Sequence, residues 1–370
     1  MARINVVRGR AVSVPLHTPF VTALRRTSTV DTLLVSVELA DGKTGLGEAP
    51  QVWAVTGDSI VSAAACIEQV LAPVLIGADS DDWAQLAPRV ARACARNFGA
   101  KAAVETALLD VVAQGEGMPL AHLLADVAGV PSPVPGADGV FEVATDVTIS
   151  AGSPESLAST ARERVAEGFT RLKLKVGTDA ATDVARVRAV RDAVGPDIGI
   201  RLDANQGWSR EDAVTVVRAL ADAQLGVELV EQPVAGDDVE GMAWVRERVD
   251  LPILADETVY GVFDLERVIR LAAADAINVK LAKCGGLLTG VRLLTRAREA
   301  GLGTMVGSMM ESHVGLAAAA SLVAAVGTSA VSDLDAAWWA THSPYAGGPA
   351  YGPGVIRLPA ADGLGMSAAS

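Results

Sequence analysis

Apolar and polar residues change their rhythm twice along this 370-residue chain. Residues 4–16 and 30–40 read as strands. The run Thr32-Leu33-Leu34-Val35-Ser36-Val37-Glu38-Leu39 meets Asp41-Gly42, a pair that tolerates positive φ and so closes hairpins. The period then turns helical: Ala103, Val104, Ala107, Leu108, Val111 and Val112 share one face, and Gly115 ends the run. A sheet followed by helices predicts an α+β domain over residues 1–128. Residues 128–139, AGVPSPVPGADG, carry three prolines and three glycines and read as a linker.

Beyond the linker, short apolar runs alternate with helical segments. The runs are FEVATDVTI, RLKLKV, IGIRLD, VELVE, PILAD, AINVK, GTMVGS and AVSDLD. Helix signals fit between them, as where Ser153-Pro154 opens one and Gly168 closes it. Strand–helix alternation implies βαβ units, and eight repeats suit a closed (β/α) barrel over residues 129–340. An open doubly wound sheet would carry a glycine fingerprint after its first strand, which is absent. Residues 341–370 begin with a loop-like SPYAGGPAYGPG and are expected to return to the first domain. The fold class is therefore α/β, a modified TIM barrel with an N-terminal α+β capping domain.

Composition narrows the function. Half the residues are hydrophobic, enough for a large core, and the formal charge is −13. No Lys/Arg cluster offsets that charge, so a nucleic-acid partner is not expected. The N-terminal stretch mixes charged and apolar residues and does not read as a signal peptide; the most apolar later run is too short to span a bilayer. No membrane association is expected, and a homo-oligomer is compatible with the sequence. Three cysteines, separated in sequence and odd in number, fit a reducing cytoplasm. Four scattered histidines have no zinc-like spacing.

Functional groups of a parallel barrel sit where its strands end. Runs two to six end in Lys175 (preceded by Lys173), Asp203, Glu231, Asp256 and Lys280, spaced 24–28 residues apart, about one βα unit each. Any single polar strand end is ordinary, because loops are polar. A series in step with the fold is not. Asp203, Glu231 and Asp256 lie on neighbouring runs, so three carboxylates form one arc that needs a cation. All-oxygen ligands suit a hard ion, Mg²⁺ first and Mn²⁺ as a substitute.

Runs two and six face each other across a barrel of eight, which sets Lys175 opposite Lys280. A substrate carboxylate at the metal would place its α-carbon between them, and the metal would stabilise the enediolate left by proton loss. Lysine bases beside Mg²⁺ are a known solution to this chemistry. Lys173, two residues from Lys175 on the same strand face, is expected to favour a neutral Lys175. Asp333 and Asp335 end run eight across from the metal, where a substrate ammonium group is their natural partner. Trp53, in a cap segment, is read as a substrate wall, and Glu311 as a contact to substrate or a support for Lys280.

The motifs KLKVG, DANQGW, VEQP, ADE and NVK followed by GG, with GLGEAP near the N-terminus, resemble the enolase superfamily, muconate-lactonizing subgroup. The resemblance covers nearly the whole chain. It implies metal ligands at Asp203, Glu231 and Asp256 and an acid/base pair at Lys175 and Lys280. The Asp-x-Asp of run eight is similar to that of dipeptide epimerases, where it binds the substrate's α-ammonium. The segment TPFVTALRR resembles those acting on L-Ala-D/L-Glu, with Arg25 meeting the glutamate side chain. Trp338 and Trp339 are bulkier than that pattern leads one to expect. The resemblance leaves two other readings within the same fold, an N-acylamino acid racemase or o-succinylbenzoate synthase, and a hydrophobic-dipeptide epimerase. A non-catalytic barrel is disfavoured, because unused buried charges are costly.

Overall fold

The computed structural model describes residues 2–22 and 26–367. Strands β1 (Ile4–Val21), β2 (Arg26–Leu39) and β3 (Thr44–Pro50) form an antiparallel sheet in that order. The Asp41-Gly42 turn lies between β2 and β3, with Gly42 at φ 92°, as the hairpin signal requires. The β1–β2 ladder is longer than the apolar pattern alone implies, with Phe20 opposite Thr27 and Val21 opposite Arg26. The second strand, expected over residues 30–40, therefore begins earlier, at Arg26. Its β-branched threonines suit a strand, and ladder hydrogen bonds do not require apolar side chains. Arg25 lies outside the described residues.

The sheet rests on the helix Phe98–Glu116, buried continuously from Gly99 to Ala113. A Cβ on Gly45 or Gly47 would stand 2.0 Å from the carbonyl oxygens of Ala107 or Ala103. Glycine at those positions lets the backbones touch.

Seven parallel strands follow: β5 (Val147–Ile149), β6 (Arg171–Lys175), β7 (Gly199–Asp203), β8 (Val227–Glu231), β9 (Ile253–Ala255), β10 (Ala276–Lys280) and β11 (Gly303–Gly307), paired in chain order. Two of the eight expected runs differ from plain strands. The first splits, because Val140–Ala144 (β4, preceding β5) turns out of the barrel to pair antiparallel with tail residues Val355–Pro359. The eighth closes the ring through two isolated bridges, Thr145–Ser332 and Gly307–Asp333. Backbone hydrogen bonds from Ser308 and Asp333 support it at 3.0 Å. The tail also reaches the cap helices, where the Leu364 N–H donates to Asp110 at 2.7 Å.

Two buried cap carboxylates grip barrel helices by their N-termini, where backbone N–H groups lack partners. Glu48 accepts from Ser312 N (2.7 Å), Ser312 Oγ (2.6 Å) and Gly315 N (2.8 Å), at the start of the helix His313–Val326. Glu105 accepts from Leu288 N at 2.9 Å, at the start of the helix Leu287–Glu299. Cap and barrel are thereby fixed against each other around the strand ends. Cys66 and Cys94, distant in sequence, bring their thiol sulfurs to 3.6 Å as free cysteines. No helix among the described residues is long and apolar enough to cross a membrane.

Candidate active site

Strand β6 shows how a parallel stave makes a site. Leu172 and Leu174 are fully buried, and the alternate residues Lys173 and Lys175 extend to the other face, towards the barrel axis. Register then aligns the acids. Lys175 is opposite Asp203, Asp203 is opposite Glu231, and Glu231 is opposite Leu254, two residues before Asp256. Asp203, Glu231 and Asp256 are all essentially inaccessible to solvent. A cavity at this end of the barrel is lined by Lys175, Lys280, Asp256, Asp333 and Asp335, with Phe20, Thr22 and Val55 contributed by the cap.

The ionisable groups are paired ammonium to carboxylate. Lys173 Nζ stands 2.9 Å from Asp203 Oδ2, 2.7 Å from Glu231 Oε2 and 2.7 Å from Asp333 Oδ2. Lys175 Nζ donates to Asp203 Oδ2 at 2.6 Å, and Lys280 Nζ to Asp256 Oδ2 at 2.7 Å. Burial alone would favour a neutral Lys173 amine, but Asp203, Asp333 and Glu231 hold it charged, well above its usual range. Burial likewise works against a charged Lys280, and Asp256 raises it regardless. One ammonium cannot serve two acids equally. Burial would lift Asp203, yet Lys173, Lys175 and Lys280 hold it below its ordinary value. Glu231, with burial and the Asp203 charge against it, is pushed up to about 7.

The donor set fits a hard divalent cation. It is all oxygen, it is buried, and it sits on three adjacent strand ends. Nearby oxygens also lack hydrogen-bond partners, Asn205 Oδ1 and Glu257 Oε2 among them. Among the described residues the carboxylates do not already converge as a cage, and Lys173 Nζ stands against both Asp203 and Glu231. A cation there would take over charge compensation that the lysines now supply.

The remaining expected residues divide. Asp333 and Asp335 line the cavity, each with one oxygen engaged: Asp333 Oδ2 with Lys173, and Asp335 Oδ2 with Thr148 N at 2.7 Å. Glu311 is buried beneath the loop that supplies Ser308, Met309 and Met310 to the cavity, and accepts from Met309 N at 2.8 Å. Burial, with the nearby Glu48 charge, pushes it up to about 8. It shapes that loop from below and does not line the cavity. Trp53 is 67% exposed and stays outside the cavity, which Val55 of the same segment lines instead.

Strand-end spacing does not mark Lys283, which follows β10 on the short helix Leu281–Cys284. It is fully buried, 2.6 Å from Asp256 Oδ1, and donates to the carbonyl oxygens of Asp256, Val259 and Asn278. Its one legible signal is position, three residues after Lys280 and hence one helical turn away.

Comparison with known proteins shows the family and the fold. Residues 4–125 match the family model of the mandelate racemase / muconate lactonizing enzyme N-terminal domain, and residues 156–369 that of the enolase C-terminal domain-like family. The chain is 38% identical to the L-Ala-D/L-Glu epimerase of Bacillus subtilis over 97% of its own length and 95% of that protein. A substrate-liganded structure of that epimerase superposes with a TM-score of 0.93, covering 100% of this chain and 99% of the other. The dipeptide epimerase of Enterococcus faecalis V583, solved with Mg and L-Leu-L-Tyr, gives a TM-score of 0.91 at 35% identity, covering 99% of both chains. The N-succinyl-L-Arg/Lys racemase of Bacillus cereus is 33% identical over 84% of this chain and 81% of its own.

Proposed function

The chain belongs to the enolase superfamily, in its mandelate racemase / muconate lactonizing branch, and from that premise we propose that it epimerises dipeptides at the α-carbon of the C-terminal residue, with L-Ala-D/L-Glu as its preferred substrate. The observation that carries this reading is one cavity holding two lysines from opposite staves together with the Asp333/Asp335 pair. Lys175 and Lys280 work the two faces of the α-carbon. One, as the free amine, takes the α-proton, and the other, as ammonium, returns a proton to the opposite face, so configuration inverts with no net proton change. Asp203, Glu231 and Asp256 hold a divalent cation, Mg²⁺ by preference. When bound, that cation would supply positive charge that takes the place of Lys175 at Asp203 and of Lys280 at Asp256 and would offset the negative charge that develops on the substrate carboxylate.

Lys173 contributes a fixed charge. Caged by three carboxylates, it is held as an ammonium and does not exchange protons with substrate. Asp333 and Asp335 receive the substrate's ammonium on the oxygens left free by Lys173 and Thr148. Incubating the protein with a dipeptide library in D₂O tests the reading, since only residues whose α-proton is exchanged gain deuterium. Absence of exchange in every dipeptide would overturn it.

Two variants refine the substrate. Asp333→Asn or Asp335→Asn should raise KM for free dipeptides about tenfold or more, the scale of a lost charged hydrogen bond. Blocking the substrate's amino terminus should cost the wild type a comparable amount. N-Succinyl amino acids outperforming dipeptides would instead favour the acylamino-acid reading, which the Bacillus cereus relative keeps in view.

Arg25 carries the preference for glutamate, because a guanidinium grips a carboxylate with two parallel hydrogen bonds. Arg25→Met should lower kcat/KM for Ala-Glu roughly ten- to a hundredfold and leave Ala-Phe nearly unchanged. If Ala-Phe is the better wild-type substrate, the protein is a hydrophobic-dipeptide enzyme like its Enterococcus relative. The apolar part of the cavity wall, Phe20, Val55, Met309 and Met310, makes that the specific rival.

A further inference from the structure

Asp335 opens a single helical turn, Ala336–Trp339, directly after the closing stave. A residue four positions on lies over the one it follows, so the Trp339 side chain can reach back. Its indole Nε1 donates to Asp335 Oδ2 at 2.9 Å. The Thr148 backbone N–H, from β5, donates to that same oxygen at 2.7 Å. Both donors are buried, and Trp339 is only 5% exposed. An oxygen held by two protein donors has little left for a ligand, and it fixes the rotation of the carboxyl plane. The oxygen left for a ligand is Oδ1, in a residue that lines the cavity.

The indole also has a second set of contacts. Phe20, the cap residue lining the cavity, meets the Trp339 ring edge-on at 5.9 Å and 76°. Trp338 also meets that ring edge-on, at 5.0 Å and 86°. The chain beyond is tied to the same cap strand: Ala340 bridges Leu16, and Thr341 N donates to Pro15 O at 2.9 Å. One side chain thus touches the cap strand with its ring and the cavity acid with its N–H.

We propose that Trp339 is a positioning residue for ammonium recognition. Its indole N–H orients Asp335 so that Oδ1 meets the amino terminus of the substrate, and its ring makes that orientation depend on the seating of the cap strand at Phe20. This rests on the dipeptide reading above. It also gives the bulk of Trp339 a role: the side chain reaches from the helical turn back to the carboxylate and outward to the cap.

The test separates N–H from ring. Trp339→Phe keeps an aromatic ring and removes the donor. Incorporating benzothienylalanine at 339 keeps the bicyclic shape and replaces only the N–H by sulfur, so it carries the test should the phenylalanine variant fold poorly. Both are assayed with L-Ala-L-Glu and L-Ala-L-Phe, free and N-acetylated. The expected result is a KM about tenfold higher for the free dipeptides, with kcat within about twofold and the N-acetylated substrates unaffected. The selectivity for a free amino terminus falls accordingly. A purely structural role would lower kcat and stability together and leave that selectivity in place. Wild type preferring free dipeptides while the benzothienylalanine protein keeps the same preference would overturn the proposal alone. Wild type with no such preference would overturn the ammonium reading itself, and the proposal with it.

Discussion

Replacing Lys175 or Lys280 with alanine should abolish epimerisation, with kcat falling at least about a thousandfold, the upper range for loss of a positioned acid or base. The two variants should fail in different ways. Inversion needs a group on each face of the α-carbon, and these lysines come from staves four apart in the ring. Each variant therefore keeps one functional face. In D₂O the remaining lysine can remove and return the α-proton of the one epimer whose proton points towards it. Lys175→Ala and Lys280→Ala should accordingly exchange opposite epimers, each without forming the other. Proton NMR of the α-position, run on both epimers for both variants, reads this directly. A variant that still epimerises at the wild-type rate sinks the two-base mechanism. Loss of exchange for both epimers in both variants would point to a shared structural defect. Lys173→Ala provides the contrast: its ammonium is caged by Asp203, Glu231 and Asp333, so its removal should cost both epimers alike.

The lysines and acids were readable in the sequence because a parallel barrel converts spacing into geometry. Residues one βα unit apart arrive at adjacent strand ends, and Asp203 does lie opposite Glu231 in the ladder. What spacing cannot encode is what fills the distance between such ends. Lys173 looked like a modulator of its neighbour Lys175 but bridges three carboxylates, a contact that needs the closing stave to bring in Asp333. That stave was legible as an apolar run, though its closure by two isolated bridges depends on long-range pairing that no local pattern marks. Trp53 shows the opposite limit. An aromatic in a cap segment suits a substrate wall, yet the turn at residues 52–57 places Val55 inward and leaves Trp53 in solvent. Trp338 and Trp339 stood out only as misfits to a pattern; their hydrogen bond and stacking exist because a single turn after Asp335 folds against β1.

Removing divalent cations should abolish activity, and Mg²⁺ should restore it, with Mn²⁺ as a weaker or comparable substitute. The expectation follows from charge. Asp203, Glu231 and Asp256 are fully buried beside Glu257, Asp333 and Asp335, and two of the lysines paired with them, Lys175 on Asp203 and Lys280 on Asp256, are the groups that the proposed reaction needs free. For the proposed two-base exchange, Lys175 and Lys280 must leave Asp203 and Asp256, and a bound cation would supply the positive charge that replaces them there. Binding a cation to the folded protein alone also stabilises it, by about 2.7 kcal/mol at a hundredfold excess over Kd. Thermal unfolding with and without Mg²⁺ should therefore show a higher midpoint for the loaded protein, a readout independent of turnover. Glu231→Gln removes one charge from the site and keeps its shape. Calorimetric titration should give a weaker Mg²⁺ affinity, and activity should need correspondingly more metal. Full turnover after rigorous chelation, or an unfolding midpoint indifferent to Mg²⁺ together with unchanged affinity in Glu231→Gln, would remove the cation from these three carboxylates.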